Sequence, residues 1–199
     1  GSLDVISRQQ LRTRSNTLAR VLIEQGVNVG DLVPIILPTC VDFLVATTAI
    51  LKAGGTPMPV SNRVPDTECS GLLSLAAPKV VFADRDWGIP CIDPTLTGNS
   101  TTETDLTTVR ASDPIKALSS GGSTGKPKLI LTAGPFLSPF GENPIALALR
   151  LETGGLKYSP GPLYHNGPFW FSLNMMINGG RILLNERFDA RCALELIEQ

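Results

Sequence analysis

Residues 119–128 read Ser-Ser-Gly-Gly-Ser-Thr-Gly-Lys-Pro-Lys, a run of hydroxyls, glycines and lysines with no acid and no bulky apolar side chain. The chemistry this composition suits is polyphosphate binding. Glycine lets the backbone take φ > 0 and come close to an anion, so that successive N–H groups point inward. Ser120, Ser123 and Thr124 add neutral donors, Lys126 and Lys128 add charge, and Pro127 fixes φ between the lysines and aims them apart. The run is not a Walker A loop, which needs Gly where Ser120 stands and Ser or Thr where Pro127 stands. A mobile Gly/Ser turn joining two strands fits the composition equally well. The proline-locked lysine pair tips the reading modestly toward phosphate.

A second candidate surrounds His165, the single histidine of the chain, in the stretch Pro162-Leu163-Tyr164-His165-Asn166-Gly167-Pro168-Phe169. Tyr164, Phe169, Trp170, Phe171, Met175 and Met176 make this the richest apolar cluster. A lone loop histidine is ordinarily bonded to backbone, and an aromatic stripe at helical spacing is ordinarily core. Cys40, Cys69, Cys91 and Cys192 are widely spaced without a Cys-x-x-Cys pair, so no zinc set and no other metal site is expected. Free thiols in a reducing cytoplasm are the simplest account.

These groups need a scaffold, and 199 residues suffice for one substantial domain. The apolar share of 42% against 18% charged is that of a globular chain, neither disordered nor membrane-spanning. A net charge of −1 without a basic block argues against nucleic acid as a partner. No apolar run reaches transmembrane length. Gly1-Ser2 reads as a tag remnant and is set aside, leaving 3–199 for the fold.

Along the chain, Ser7 and Gln10 form a capping box ahead of a helix carrying Leu11, Leu18, Val21 and Leu22, with Gly26 as its stop. Residues 32–37 form a strand whose Pro34 suggests an edge position or a strand start. Thr39 and Asp42 cap a helix over 41–53, apolar on nearly every face, which ends at Gly54-Gly55. Strand 58–60, helix 65–76 and strand 79–83 follow. Repeated helix and strand argue an α/β fold with a helix-flanked, mainly parallel sheet. Residues 84–113 read as irregular surface connection. Two short buried strands, 115–118 and 129–132, flank the glycine-rich run. Residues 133–144 read as non-helical, 166–178 as a buried helix, 181–184 as a strand, and Asp189 as the cap of a helix over 190–198.

In this setting 119–128 resembles the phosphate signature of the adenylate-forming superfamily of acyl-CoA synthetases, luciferases and peptide-synthetase adenylation domains. Gly122 to Lys128 match position for position, whereas Gly121 replaces the usual Ser and Leu129 the final Gly. The stretches 11–33, 51–59, 162–169 and 179–189 resemble further signatures of that family in the right order. The resemblance implies the N-terminal part of the adenylate-forming ligase fold, a partial domain of a protein more than twice as long. The adenine, ribose and magnesium contacts and a C-terminal lysine domain would lie beyond Gln199.

It further implies activation of a carboxylic acid by ATP with Mg2+, releasing pyrophosphate, then thioester formation with coenzyme A. Ser120, Gly121, Gly122, Ser123, Thr124, Gly125 and Lys128 would bind the phosphates. His165, Asn166, Gly167 and Phe169 would border the acyl pocket and thiol tunnel, with no complete catalytic set in this chain. The narrower likeness is to fatty-acid and bile-acid or steroid ligases, hence a hydrophobic acid, lipid metabolism and a cytoplasmic setting. The alternatives are transfer to a carrier-protein thiol, or a non-catalytic nucleotide- or anion-binding module.

Overall fold

The computed structural model describes residues 5–96, 112–120, 127–132 and 144–197. The chain divides into two compact units. One comprises Gly1–Leu37 and Val41–Phe136, the other Pro38–Cys40 and Leu137–Gln199.

The first unit begins with α1 (Arg8–Glu24), started by the expected capping box. Ser7 Oγ accepts from Gln10 N at 3.2 Å, and Gln10 Oε1 accepts from Ser7 N at 2.8 Å. This satisfies two amides that the first helical turn would otherwise leave open. β1 (Leu32–Ile36), α2 (Val41–Ala53), β2 (Thr56–Pro59), α3 (Asp66–Ala76) and β3 (Phe82–Ala83) follow. The sheet order is β2-β1-β3 with both pairings parallel, as alternating helices and strands require. β1 is therefore the central strand, although Pro34 itself has a strand neighbour on one side only. Pro34 pairs with Met58 of β2, but β3 joins β1 only from Ile35, so at Pro34 the sheet is still two strands wide. The third strand is shorter than 79–83, because Val81 makes only an isolated bridge to Cys91 before β3.

α1 packs on α2. Leu18, Ala19 and Leu22 of α1 and Phe43, Val45, Ala46, Ala49 and Ile50 of α2 are wholly buried. Each large apolar side chain among them contributes about 1.5–3 kcal/mol relative to exposure. Polar ties fix the register of the pair. Arg14 bonds Asp42, and Lys52 Nζ donates to Ser15 Oγ and Asn16 Oδ1, both at 2.7 Å. Burial and the nearby Arg12 charge pull the Lys52 ammonium down to about 8. Gly54, at φ +85°, ends α2 in a left-handed turn that a side chain would strain.

β4 (Lys116–Ser120) and β5 (Lys128–Thr132) form an antiparallel hairpin in the same unit. Lys116, Ala117 and Leu118 of β4 are buried, Ser119 is exposed, and Ala117 joins the core beside Met58, Cys69 and Leu72. β5 is not buried as expected. Leu129 reaches that core, but Ile130 and Leu131 are more than half exposed. The apolar run 129–131 is a sound strand signal, but alternation turns Ile130 away from the face of Leu129, and on that face the core's cover reaches Leu129 and leaves Leu131 more than half exposed.

The second unit holds α4 (Pro144–Ala148), β6 (Leu156–Ser159), α5 (Asn166–Ile177), β7 (Arg181–Leu184) and α6 (Ala190–Ile197). β6 and β7 are parallel, so β6–α5–β7 is one crossover unit. Pattern reading missed α4 and β6, which are five and four residues long, too short to establish a period. Most of the 133–144 stretch read as non-helical lies outside the described residues. No described helix is long and apolar enough to cross a membrane.

Candidate functional site

The first candidate loop grows out of the hairpin. Ser120 of β4 pairs with Lys128 of β5, so the chain between them is closed at its base by backbone pairing. Ser120 is described through its backbone only. Gly121, Gly122, Ser123, Thr124 and Gly125, with Lys126, lie outside the described residues. Lys128 opens β5 with its side chain exposed, so its ammonium stays hydrated and carries no burial cost. Its neighbour Pro127 lies against α3, since a methyl group added at Gly71 would sit 3.4 Å from Pro127 Cγ. Pro127 and Leu129 thus lean on the unit while Lys128 between them points away.

The inner strand is tied at its start. Thr56 Oγ1 and Ser112 Oγ lie 2.6 Å apart, and both donate to Pro114 O at 2.7 Å. Two residues on, Lys116 is 4% exposed, and burial pulls its ammonium down to about 8. Sequence reading assigned Lys116 nothing, since one lysine in an apolar run carries no local sign of burial.

The second candidate loop runs from the carboxyl end of β6 to the amino end of α5, where open parallel sheets characteristically bind ligands. Leu163, fully buried, is its anchor. Pro162 O accepts from His165 N, and His165 O accepts from Phe169 N, each at 3.1 Å, so a tight turn passes straight into the helix. His165 is the N-cap in extended geometry, exposed, with its ring edge-on to Tyr164 at 4.8 Å between centroids. Asn166 is exposed, and a side chain added at Gly167 would meet nothing within 4 Å. Phe169 is fully buried and belongs to the packed side of α5, whereas Phe171 is 40% exposed. Of the four acyl-pocket candidates, His165 and Asn166 are therefore exposed, Gly167 has open space beside it, and Phe169 is buried.

Three neighbours of this loop escaped sequence reading. Lys157 Nζ donates to Ser172 Oγ at 3.3 Å, and burial lowers its pKa. Ser159 is fully buried, and its hydroxyl finds no partner among the described residues. Thr39, read as a helix cap, accepts from Leu163 N at 3.0 Å.

Parallel strands, crossover helices and candidate ligand groups on loops at strand ends define an α/β ligand-binding protein. The family model described as AMP-binding enzyme matches residues 4–199, and the chain belongs to that family. It is 31% identical over 130 residues to a plipastatin synthase chain of Bacillus subtilis (strain 168), covering 62% of this chain and 5% of that protein. It is 30% identical over 80 residues to tyrocidine synthase 1 of Brevibacillus parabrevis, covering 40% of this chain and 7% of that one. Among solved structures it resembles the o-succinylbenzoate CoA synthetase of Bacillus subtilis in complex with its acyl-adenylate intermediate. There the TM-score is 0.75 at 18% identity, over 98% of this chain and 53% of the other. ATP-bound MatB from Rhodopseudomonas palustris matches with a TM-score of 0.73 at 23% identity, over 98% of this chain and 43% of that one. The fold is that of the N-terminal domain of adenylate-forming ligases. The chain spans about half the length of these structures and a small fraction of the synthetases.

Proposed function

We propose that the protein containing this chain activates a carboxylic acid with ATP to an acyl-adenylate and passes the acyl group to a thiol. The observation that carries this reading is the family match along residues 4–199, with a hydroxyl- and lysine-bearing loop closed at its base by the hairpin. A carboxylate is already ionised at neutral pH and needs no general base. Its oxygen forms a bond to the α-phosphorus as the bond to pyrophosphate breaks. This chain's part is to position and neutralise the leaving group. Lys128 would offset charge on pyrophosphate, and the amides and hydroxyls of 120–125 would hold its oxygens. Residues 115–132 contain no carboxylate, so they suit phosphate oxygens and offer Mg2+ no acidic ligand.

The finer reading is a hydrophobic acid with coenzyme A as acceptor, supported by the aromatic and methionine content of 164–176. The likeness to plipastatin and tyrocidine synthases favours a second reading, transfer to a carrier-protein thiol. The test is ATP–pyrophosphate exchange by the whole protein with fatty, aromatic, steroid and amino acids. Coenzyme A and a phosphopantetheinylated carrier protein are then compared as acceptors. Exchange with one class of acid is expected, and a whole protein silent toward every acid would overturn the assignment.

A further inference from the structure

Leu163 N–H donates to Thr39 Oγ1 at 3.0 Å in a buried bond that joins residues 124 apart in sequence. Thr39 is 6% exposed and Leu163 is wholly buried. The segment Pro38–Cys40 belongs to the second unit although the chain on both sides of it belongs to the first. It follows the carboxyl end of β1, as the 160–165 loop follows the carboxyl end of β6. We propose that Thr39 is a positioning residue, whose hydroxyl holds the turn presenting His165, Asn166 and Gly167. This rests on the reading that the turn borders the acid site.

The turn is built so that one lost tether would be felt. Leu163 stands between Pro162, whose carbonyl closes the turn onto His165 N, and Tyr164, whose ring abuts His165. At its entrance, a methyl group on Gly161 would fall 2.7 Å from Pro168 Cγ, so backbone and α5 already touch. An amide in this buried place is costly to leave unpaired. Without the Thr39 acceptor, Leu163 N–H must turn toward another, and the three residues after it turn with it.

Thr39→Val keeps the shape of the side chain and removes the acceptor. Thr39→Ser keeps the acceptor. Thr47→Val removes an equally buried hydroxyl, which bonds only to Phe43 O within α2. His165 is the single histidine of the chain, so its ring Cε1–H gives one assignable NMR signal in this chain. With Thr39→Val, that signal should move or broaden and amide exchange at Leu163 should quicken at least about tenfold. Thr39→Ser and Thr47→Val should leave both near wild type. Thr39→Ala supplies the same readout should the valine variant fail to fold.

In the whole protein, Thr39→Val should lower kcat/KM for the acid in pyrophosphate exchange about tenfold, mostly through KM. Thr39→Ser should restore it to within about twofold. A His165 signal no more altered by Thr39→Val than by Thr47→Val would overturn the positioning role. A displaced His165 with unchanged exchange kinetics would spare the tether but overturn its link to the acid site. Absence of exchange in the wild-type protein would count instead against the function proposed above.

Discussion

The hairpin loop and the loop before α5 are held in opposite ways. The first is closed by its own backbone at the Ser120–Lys128 pair, on a strand exposed at Ile130 and Leu131, and presents Lys128 to solvent. The second is held by packing and by a distant residue: buried Leu163, the Thr39 bond and the Gly161–Pro168 contact. Polyphosphate is small, charged and alike in every reaction, so a self-closed loop with exposed charge suits it. A turn that borders a particular acid, as proposed for the second, would have to hold its shape, and neighbouring groups supply that rigidity. Function and stability should therefore separate at the first loop and travel together at the second.

The largest expected effect tests the first half of that contrast. Lys128→Ala should reduce pyrophosphate exchange by the whole protein about 10²-fold, comparable to losing one charge-stabilising donor. Because Lys128 is exposed, its removal should change folding stability by less than about 0.5 kcal/mol. Comparable losses of stability and exchange, measured by urea denaturation beside the kinetics, would erase the distinction.

Next in size is the inner strand of the hairpin. The Lys116 ammonium titrates near 8 when folded, against 10.5 as the ordinary value. Below about pH 8 both states are charged and the folded state bears the cost of burial. As pH rises from 8 to 10.5 the folded lysine sheds its proton first, so stability climbs, by up to about 3 kcal/mol. Lys116→Met should be more stable than wild type at pH 7 and level with it near pH 10.5. Lys52 titrates in the same direction in both proteins and cancels in the difference. A pH-independent difference would show that burial does not govern this lysine.

The smallest effect belongs to the second loop. Gly161→Ala should cost about 1–2 kcal/mol, since the ring of Pro168 cannot yield as a flexible side chain does. A urea midpoint unchanged from wild type would mean that the turn has slack, and the proposed rigidity would fall with it.

The α1 capping box and the bounds of α2 and β7 follow from local signals, and the parallel sense of the first sheet from the alternation of helices and strands. A cap, a run of apolar residues and a Gly-Gly stop act within a few residues, so the sequence displays them directly. The motif at 119–128 was legible for the same reason, as were the two strands that bracket it. The central place of β1 was not, because a strand's rank in its sheet depends on where its neighbours begin. Nor was the exposure of β5, since Ile130 and Leu131 are apolar whether covered or not.

By itself, then, the sequence determined the family and the elements from α1 to β5, α5, β7 and α6, all carried by residue types at short spacings, though not the short α4 and β6. Only the tertiary structure decided that Thr39 serves Leu163, that Lys116 is buried and that Phe169 is buried. Those outcomes depend on which distant segments meet, and a hydroxyl or an ammonium acquires its partner and its solvent only when they do.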